Sequence, residues 1–166
     1  EPLLNAALLA DPLLPLTNFG LAAISASRGD VIKAEAHYIE EIRVSPPSIP
    51  ARRELVKLYA SQQRYEDQLE QLSVLLKVQP NNAENLAAQA QALYNLKRYA
   101  EAVAPVNACM KLEPKNADCK MLQANVLKRT GKTREADAAY QEALKLKEAE
   151  KQAGTEKPRK GGKRAQ

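Results

Sequence analysis

Four prolines recur at intervals of 34 residues along this chain, at Pro12, Pro46, Pro80 and Pro114. Apolar side chains lie four and two positions before the proline in all four copies, which is typical of the last turns of an amphipathic helix. Proline lacks the amide hydrogen that a continuing helix needs, and it disfavours the helical conformation in the preceding residue. The interval therefore predicts a repeated unit with one helix ending just before each proline.

A second break falls near the middle of each interval. It is a short polar stretch, and its four copies are Arg28-Gly29-Asp30, Gln63-Arg64-Tyr65, Lys97-Arg98-Tyr99 and Thr130-Gly131-Lys132. Glycine suits the left-handed conformation found at helix C-termini, and polar side chains suit a solvated turn. Each unit is therefore predicted to be helix, turn, helix, turn, in an all-α chain rich in alanine, leucine, glutamate, lysine and glutamine.

This pattern resembles the tetratricopeptide repeat (TPR) family, which has a period of about 34 residues with small residues at fixed offsets. The family's small residue of the first helix corresponds to Ala22, Val56, Ala90 and Ala124. Its alanine followed four residues later by an aromatic corresponds to Ala34 with Tyr38, Gln68 with Leu72, Ala102 with Val106, and Ala136 with Tyr140. The family's tryptophan is absent, and its place is taken by Asn18, Arg52, Leu86 and Lys120. The resemblance implies a right-handed α-solenoid of antiparallel helix pairs, a TPR-like superhelix.

The period divides the chain into repeats at 15–48, 49–82, 83–116 and 117–150, with the last helix extending to about residue 153. Residues 1–14 match only the second helix of a preceding repeat. We therefore expect a piece of a longer protein, and the alternative is a capping helix that begins at Glu1.

Residues 154–166 lack apolar periodicity and are predicted to form a basic, disordered tail. Five basic residues there equal the formal net charge of +5, and they are Lys157, Arg159, Lys160, Lys163 and Arg164. Residues 1–156, which include Glu156, are therefore balanced in charge. The tail predicts at most weak, salt-sensitive attachment to nucleic acid or an anionic membrane.

Catalytic and cofactor chemistry has little support in this sequence. His37 is the only histidine, so the usual zinc spacings and histidine-based catalytic sets cannot form, and we expect no enzyme activity, cofactor or metal. For Cys109 and Cys119 we expect two reduced, unreactive thiols. The alternative is a disulfide in an oxidising compartment, which requires Cα atoms roughly 4.4–6.8 Å apart. The sequence leaves the compartment open between bacterial cytoplasm and periplasm.

The resemblance implies that the first helices line a concave groove, so the groove residues are predicted by offset within each repeat. Large side chains would anchor a peptide, basic ones would pair with its acids, and amides would read its backbone. The candidates are Phe19, Arg53, Lys57, Gln91, Tyr94, Asn95, Met121, Asn125, Lys128 and Arg129.

The predicted function is a non-enzymatic scaffold or adaptor that binds a protein or peptide with acidic and apolar residues. The family's clamp for chaperone C-terminal tails is not expected, because Ala88 replaces its middle asparagine, and Asp118 with Leu122 replaces its last basic pair. The alternative function is a regulatory or targeting segment of a larger enzyme or membrane-anchored protein. Self-association is the other partner that the sequence allows.

Overall fold

The structure is a computed structural model that describes residues 1–11, 14, 16–46 and 48–155. Every regular element in these ranges is an α-helix. The helices are α1 (Pro2–Ala10), α2 (Thr17–Ser27), α3 (Val31–Val44), α4 (Ile49–Ser61), α5 (Tyr65–Val78), α6 (Ala83–Asn95), α7 (Tyr99–Leu112), α8 (Ala117–Arg129) and α9 (Thr133–Thr155).

Each helix packs on the next along the chain, so the helices form a TPR-like α-solenoid of antiparallel pairs. This confirms the predicted all-α repeat fold. Helix α9 continues to Thr155, so Gly154 and Thr155 belong to the helix and not to the predicted tail. The rest of that tail, residues 156–166, lies outside the described residues.

The turn inside each pair has the same backbone geometry in all four repeats. One residue adopts a positive φ, and the four lie 34 residues apart: Gly29 (76°), Gln63 (60°), Lys97 (61°) and Gly131 (86°). The N–H of the following residue donates to the carbonyl five residues earlier, for example from Asp30 to Ser25 at 2.9 Å. This is a Schellman motif, which supplies hydrogen bonds to the last carbonyls of the first helix.

The turn between pairs is also repeated, and it accounts for three of the four periodic prolines; the fourth, Pro12, lies outside the described residues. Pro46, Pro80 and Pro114 take the second place of four-residue turns, a position that suits the fixed φ of proline. Each turn is closed by an N–H donated to a carbonyl three residues earlier, from Ser48 to Ser45 (2.7 Å), Asn82 to Gln79 (3.3 Å) and Asn116 to Glu113 (3.1 Å). The side chains of Asn82 and Asn116 then cap α6 and α8.

The core runs through the array because the buried side chains of one pair contact the next pair. One cluster joins α2, α3 and α4 through Ala22, Ala34, Tyr38, Ala51, Leu55 and Tyr59. Another joins α6, α7 and α8 through Ala90, Leu93, Ala102, Val106, Leu122 and Val126. A single hairpin could not bury these surfaces, so each pair depends on its neighbours for stability.

The first full repeat departs from the others at Glu41, a carboxylate that is 0% exposed. Its oxygens accept hydrogen bonds from the backbone N–H groups of Leu16 (3.0 Å) and Phe19 (3.2 Å), at the start of α2. Helix α2 begins at Thr17, two residues later than the period predicts, and its N-cap residue makes no side-chain cap. Glu41 therefore supplies from α3 the cap that Asn82 and Asn116 supply locally to α6 and α8.

We expect Glu41→Leu to lower the free energy of unfolding by about 1–3 kcal/mol, because two partly buried N–H groups lose their acceptor. Leucine is the residue at the equivalent position of the next repeat, Leu75, so the change should suit the core in volume. Urea unfolding measures the loss. The exposed Glu40→Gln is the control, with an expected change under about 1 kcal/mol. A Glu41→Leu protein as stable as wild type would contradict the capping role.

We expect Gln63→Gly and Lys97→Gly each to stabilise the protein by about 0.5–1 kcal/mol, because glycine has no Cβ to strain the left-handed conformation. The gain is reduced by the greater backbone freedom of glycine in the unfolded chain. Gln62→Gly is the matched control, since the neighbouring Gln62 has a φ of −90° and should gain nothing. Equal effects at 62 and 63 would contradict the strain argument.

Candidate peptide-binding face

The first helices of the pairs share one face, which holds two adjoining depressions; we call it the inner face. The first depression has a volume of ≈320 Å³ and is lined from α2, α4 and α6 by residues that include Phe19, Arg53, Lys57, Glu84 and Ala88. The second has a volume of ≈380 Å³ and is lined by residues that include Glu84, Ala88, Gln91, Glu113, Asp118 and Leu122. They share Glu84 and Ala88 on α6, so they form a continuous surface.

Four of the ten predicted groove residues line these depressions, namely Phe19, Arg53, Lys57 and Gln91. The other six belong to neither lining, and they are Tyr94, Asn95, Met121, Asn125, Lys128 and Arg129. Gln91 donates a hydrogen bond to Asn95 at 3.0 Å, so these two amides bind each other in this structure. Their role in binding a ligand stays a prediction.

The two aromatic residues predicted as anchors also make contacts within the protein. The ring of Phe19 lies 5.7 Å from that of Tyr38, and the ring of Tyr94 lies 5.3 Å from that of Tyr99. The guanidinium of Arg129 lies 5.6 Å from the Tyr99 ring, and its pKa is raised chiefly by a hydrogen bond with Tyr94. Tyr94 and Arg129 therefore stabilise the junction of α6, α7 and α8.

The first depression holds a cation without a carboxylate partner among the described residues. Arg53 donates from Nη2 to the neutral amide oxygen of Gln79 at 3.0 Å, whereas Lys57 pairs with Glu54 at 2.8 Å. Within the described residues, Nε of Arg53 and Nδ2 of Asn85 are buried and have no hydrogen-bond partner. Asn85 is 4% exposed and lines the same depression. Arg53 and Asn85 therefore offer unpaired hydrogen-bond donors at this end of the inner face.

The second depression has the opposite character. Its described lining contains three carboxylates, Glu84, Glu113 and Asp118, and no lysine or arginine. Asp118 is paired with Lys147 of α9 at 3.1 Å, and Glu113 accepts a hydrogen bond from Asn116 at 2.7 Å. The first depression balances Arg53 and Lys57 against Glu54 and Glu84, so the charge along the inner face changes from balanced near Arg53 to acidic near Glu113.

Two contributors to this acidic end were absent from the predicted set because they lie in a turn. Glu113 and Asn116 flank Pro114, between α7 and α8, while the predicted residues were all taken from first helices. The available signal was the recurrence of asparagine 34 residues apart, at Asn82 and Asn116. Both residues close a turn and cap a helix beside the inner face.

The prediction of two reduced cysteines is wrong for this structure, in which Cys109 and Cys119 form a disulfide. Their Cα atoms lie 6.4 Å apart, because the turn at Pro114 folds α7 and α8 back onto each other. Both residues are buried, at 0% and 2% exposure. The bond joins two neighbouring repeats and lies beneath the second depression, which Cys119 helps to line.

The described residues show neither a metal-binding cluster nor a membrane-spanning helix. No group of three or more histidine, cysteine or acidic side chains there is arranged to hold a metal ion. In the same part of the chain, no helix combines the length and apolar character needed to cross a bilayer.

Comparison with known proteins identifies the family. The family described as anaphase-promoting complex, cyclosome, subunit 3 matches residues 58–143, which is just over half of the chain. The chain belongs to this TPR-type repeat family. The match covers α5 to α8 entirely, so it includes the second depression and the disulfide of this family member. No curated protein matches the sequence significantly.

Solved structures of MamA are similar to this family member in fold. "MamA MSR-1 C2" aligns with a TM-score of 0.73 at 22% identity, over 81% of this chain and 77% of its own. "MamA 41-end from Desulfovibrio magneticus RS-1" aligns with a TM-score of 0.78 at 13% identity, over 88% and 82%. "MamA RS-1 ArsTM double mutant" reaches 0.80 at 13% identity, over 89% and 83%. At these identities the likeness concerns the fold alone.

We expect reduction of the disulfide to lower the free energy of unfolding by up to about 3 kcal/mol, because the unfolded chain gains the freedom of an open loop. Urea unfolding with and without a thiol reductant measures the change. The Cys109→Ala/Cys119→Ala variant is the control, since its stability should not respond to reductant. Two free thiols in the unreduced, urea-unfolded protein would contradict the disulfide.

Proposed function

We propose that this chain is a non-enzymatic interaction module that binds a peptide or a segment of a partner protein along its inner face. The observation that carries the proposal is the pair of depressions joined at Glu84 and Ala88, which together extend from α2 to α8. A continuous surface of this kind can contact several successive residues of a ligand, as the concave surfaces of repeat arrays do. The family name supports an assembly role, because it describes a subunit of a complex.

The ligand proposed for this face carries charge of both signs. An acidic side chain or terminal carboxylate suits the end near Arg53, whose guanidinium binds a neutral amide and whose Nε has no hydrogen-bond partner among the described residues. A lysine or arginine side chain suits the other end, where Glu84 and Glu113 lie in the same depression. Apolar ligand atoms suit the small side chains between the two ends, such as Ala88. The earlier expectation of an acidic and apolar ligand is thus refined to an ordered ligand, acidic at one end and basic at the other.

The test is affinity capture from native lysate with wild type and the Arg53→Glu/Lys57→Glu variant. Arg134→Glu/Lys145→Glu is the control, because it makes the same change in net charge on the exposed surface of α9. We expect the first variant to retain a specific partner at least about tenfold more weakly, equivalent to about 1.4 kcal/mol, and the control to retain it fully. Circular dichroism confirms that all proteins remain helical. If both variants captured the partner equally well, the proposal of binding at the inner face would be wrong.

A further inference from the structure

A second interaction surface lies on the other side of the array, between α5 and α7. Here the two helices leave a slot of ≈840 Å³ whose floor is formed by α6, and we call it the outer slot. Leu86 and Leu93 of α6, which are 9% and 6% exposed, form the apolar floor. The more accessible apolar lining is the half-buried Leu69 of α5 with Ala104 and Ala108 of α7. The volume is within the range of about 300–1,000 Å³ that is usual for binding pockets.

The outer slot and the inner face use opposite sides of the same helix. The inner face takes Glu84, Ala88 and Gln91 from α6. The outer slot takes Leu86, Gln89 and Leu93. At 3.6 residues per turn, the second set lies about 165° around the helix axis from the first. A ligand in the outer slot therefore would not compete for the inner face, and the two surfaces can be tested separately.

Short side chains on the α7 wall account for the width of the slot. Ala104 and Ala108 of α7 lie one helical turn apart and face Ser73 of α5 across the slot. The positions on α5 that are equivalent to the two alanines, 34 residues earlier, carry the larger Glu70 and Val74. The smaller side chains of α7 leave a gap above Leu86 and Leu93, which belong to the core.

The rim of the slot is acidic. Glu66 and Glu70 line the α5 wall and Glu101 lines the α7 wall, while Arg98 is the one base in the described lining. Arg98 is held by Glu101, with Nε to Oε1 at 2.7 Å and Nη2 to Oε2 at 2.5 Å. Both carboxylates of the α5 wall are exposed and remain available to a cation brought by a ligand.

We propose that the outer slot binds an amphipathic α-helix of a partner protein, with leucine-like side chains on one face and lysine or arginine on the flanks of that face. The walls are helices with satisfied backbone groups, so an extended segment would find no backbone to pair with, whereas a helix satisfies its own. The lining from Glu66 to Ser73 spans about 10 Å, or two helical turns of a docked helix. The acidic rim selects the basic flanks.

This surface excludes two other occupants as its main ligand. The basic residues at 157–164 are not accompanied by large apolar side chains, so that segment would place none against the apolar lining of the slot. Helix α1 of a second copy is apolar but carries no basic side chain for the rim. A second copy remains distinguishable in the experiment below, through the oligomeric state.

The test uses a displayed library of helical peptides about 14 residues long, with leucines fixed along one face and the flanking positions randomised. Selection on the full chain is followed by fluorescence anisotropy of the enriched peptides. We expect enrichment of lysine and arginine at the flanks. Ala104→Leu should weaken binding at least about tenfold by filling the slot, and Glu66→Gln/Glu70→Gln should weaken it at least about fivefold with a smaller dependence on salt.

Matched controls separate this proposal from the one for the inner face. Ala138→Leu makes the same exposed change at the equivalent position of α9 and should leave peptide affinity unchanged. Arg53→Glu/Lys57→Glu should also bind the peptide normally, even though it disables the inner face. Binding that survives Ala104→Leu, acidic flanks among the enriched peptides, or no enrichment at all would each overturn the proposal. A wild-type oligomer that Ala104→Leu dissociates would instead assign the slot to a second copy and would also overturn it.

Discussion

The regular arrangement of this protein depends on two backbone turns that recur with a constant spacing. The left-handed residue inside each pair and the proline-containing turn between pairs limit α4, α6 and α8 to 13 residues, and α3, α5 and α7 to 14. Because equivalent helices have the same length, they present the same positions to their neighbours, and equivalent side chains lie in rows across the array. Both the inner face and the outer slot are consequences of those rows, because each is built from several helices at matching positions.

The first full repeat shows what happens when a local signal is weak. Helix α2 is only 11 residues long and lacks a capping side chain at its N-cap, and the buried Glu41 of the next helix supplies the missing acceptor. The positions equivalent to Glu41 in later repeats hold Leu75, Cys109 and Ala143, which are all buried and need no polar partner. A buried carboxylate is tolerated at this position because two N–H groups at a helix N-terminus stabilise it. In this repeat, hydrogen bonds to Glu41 thus replace the local asparagine cap that begins α6 and α8.

The fold was predictable from the sequence because turns are local. Proline and glycine restrict or permit particular backbone angles wherever they occur, so their period predicted the helix pairs without knowledge of long-range contacts. Glu41 was not predictable in the same way, because its partners lie 25 and 22 residues away and the sequence shows only an acid in an amphipathic helix. The disulfide likewise depended on how tightly the turn at Pro114 brings α7 and α8 together. Four groove candidates line the two depressions, and their binding role stays a prediction. Tyr94 and Arg129 contact neighbouring helices, which a position within a repeat cannot reveal.

The distribution of charge can vary between repeats because the fold depends on turns and buried side chains, and not on the exposed ones. The solenoid requires only that buried positions stay small or apolar, so the exposed rows are free to differ from repeat to repeat. On α6, one side adjoins Arg53 at one end and Glu113 at the other, and the opposite side lies beneath the acidic rim of the outer slot. A single helix therefore separates two surfaces with different ligand chemistry. Because α6 lies between them, the charges of the two surfaces interact mainly through solvent, where physiological salt screens exposed charges beyond about 8 Å.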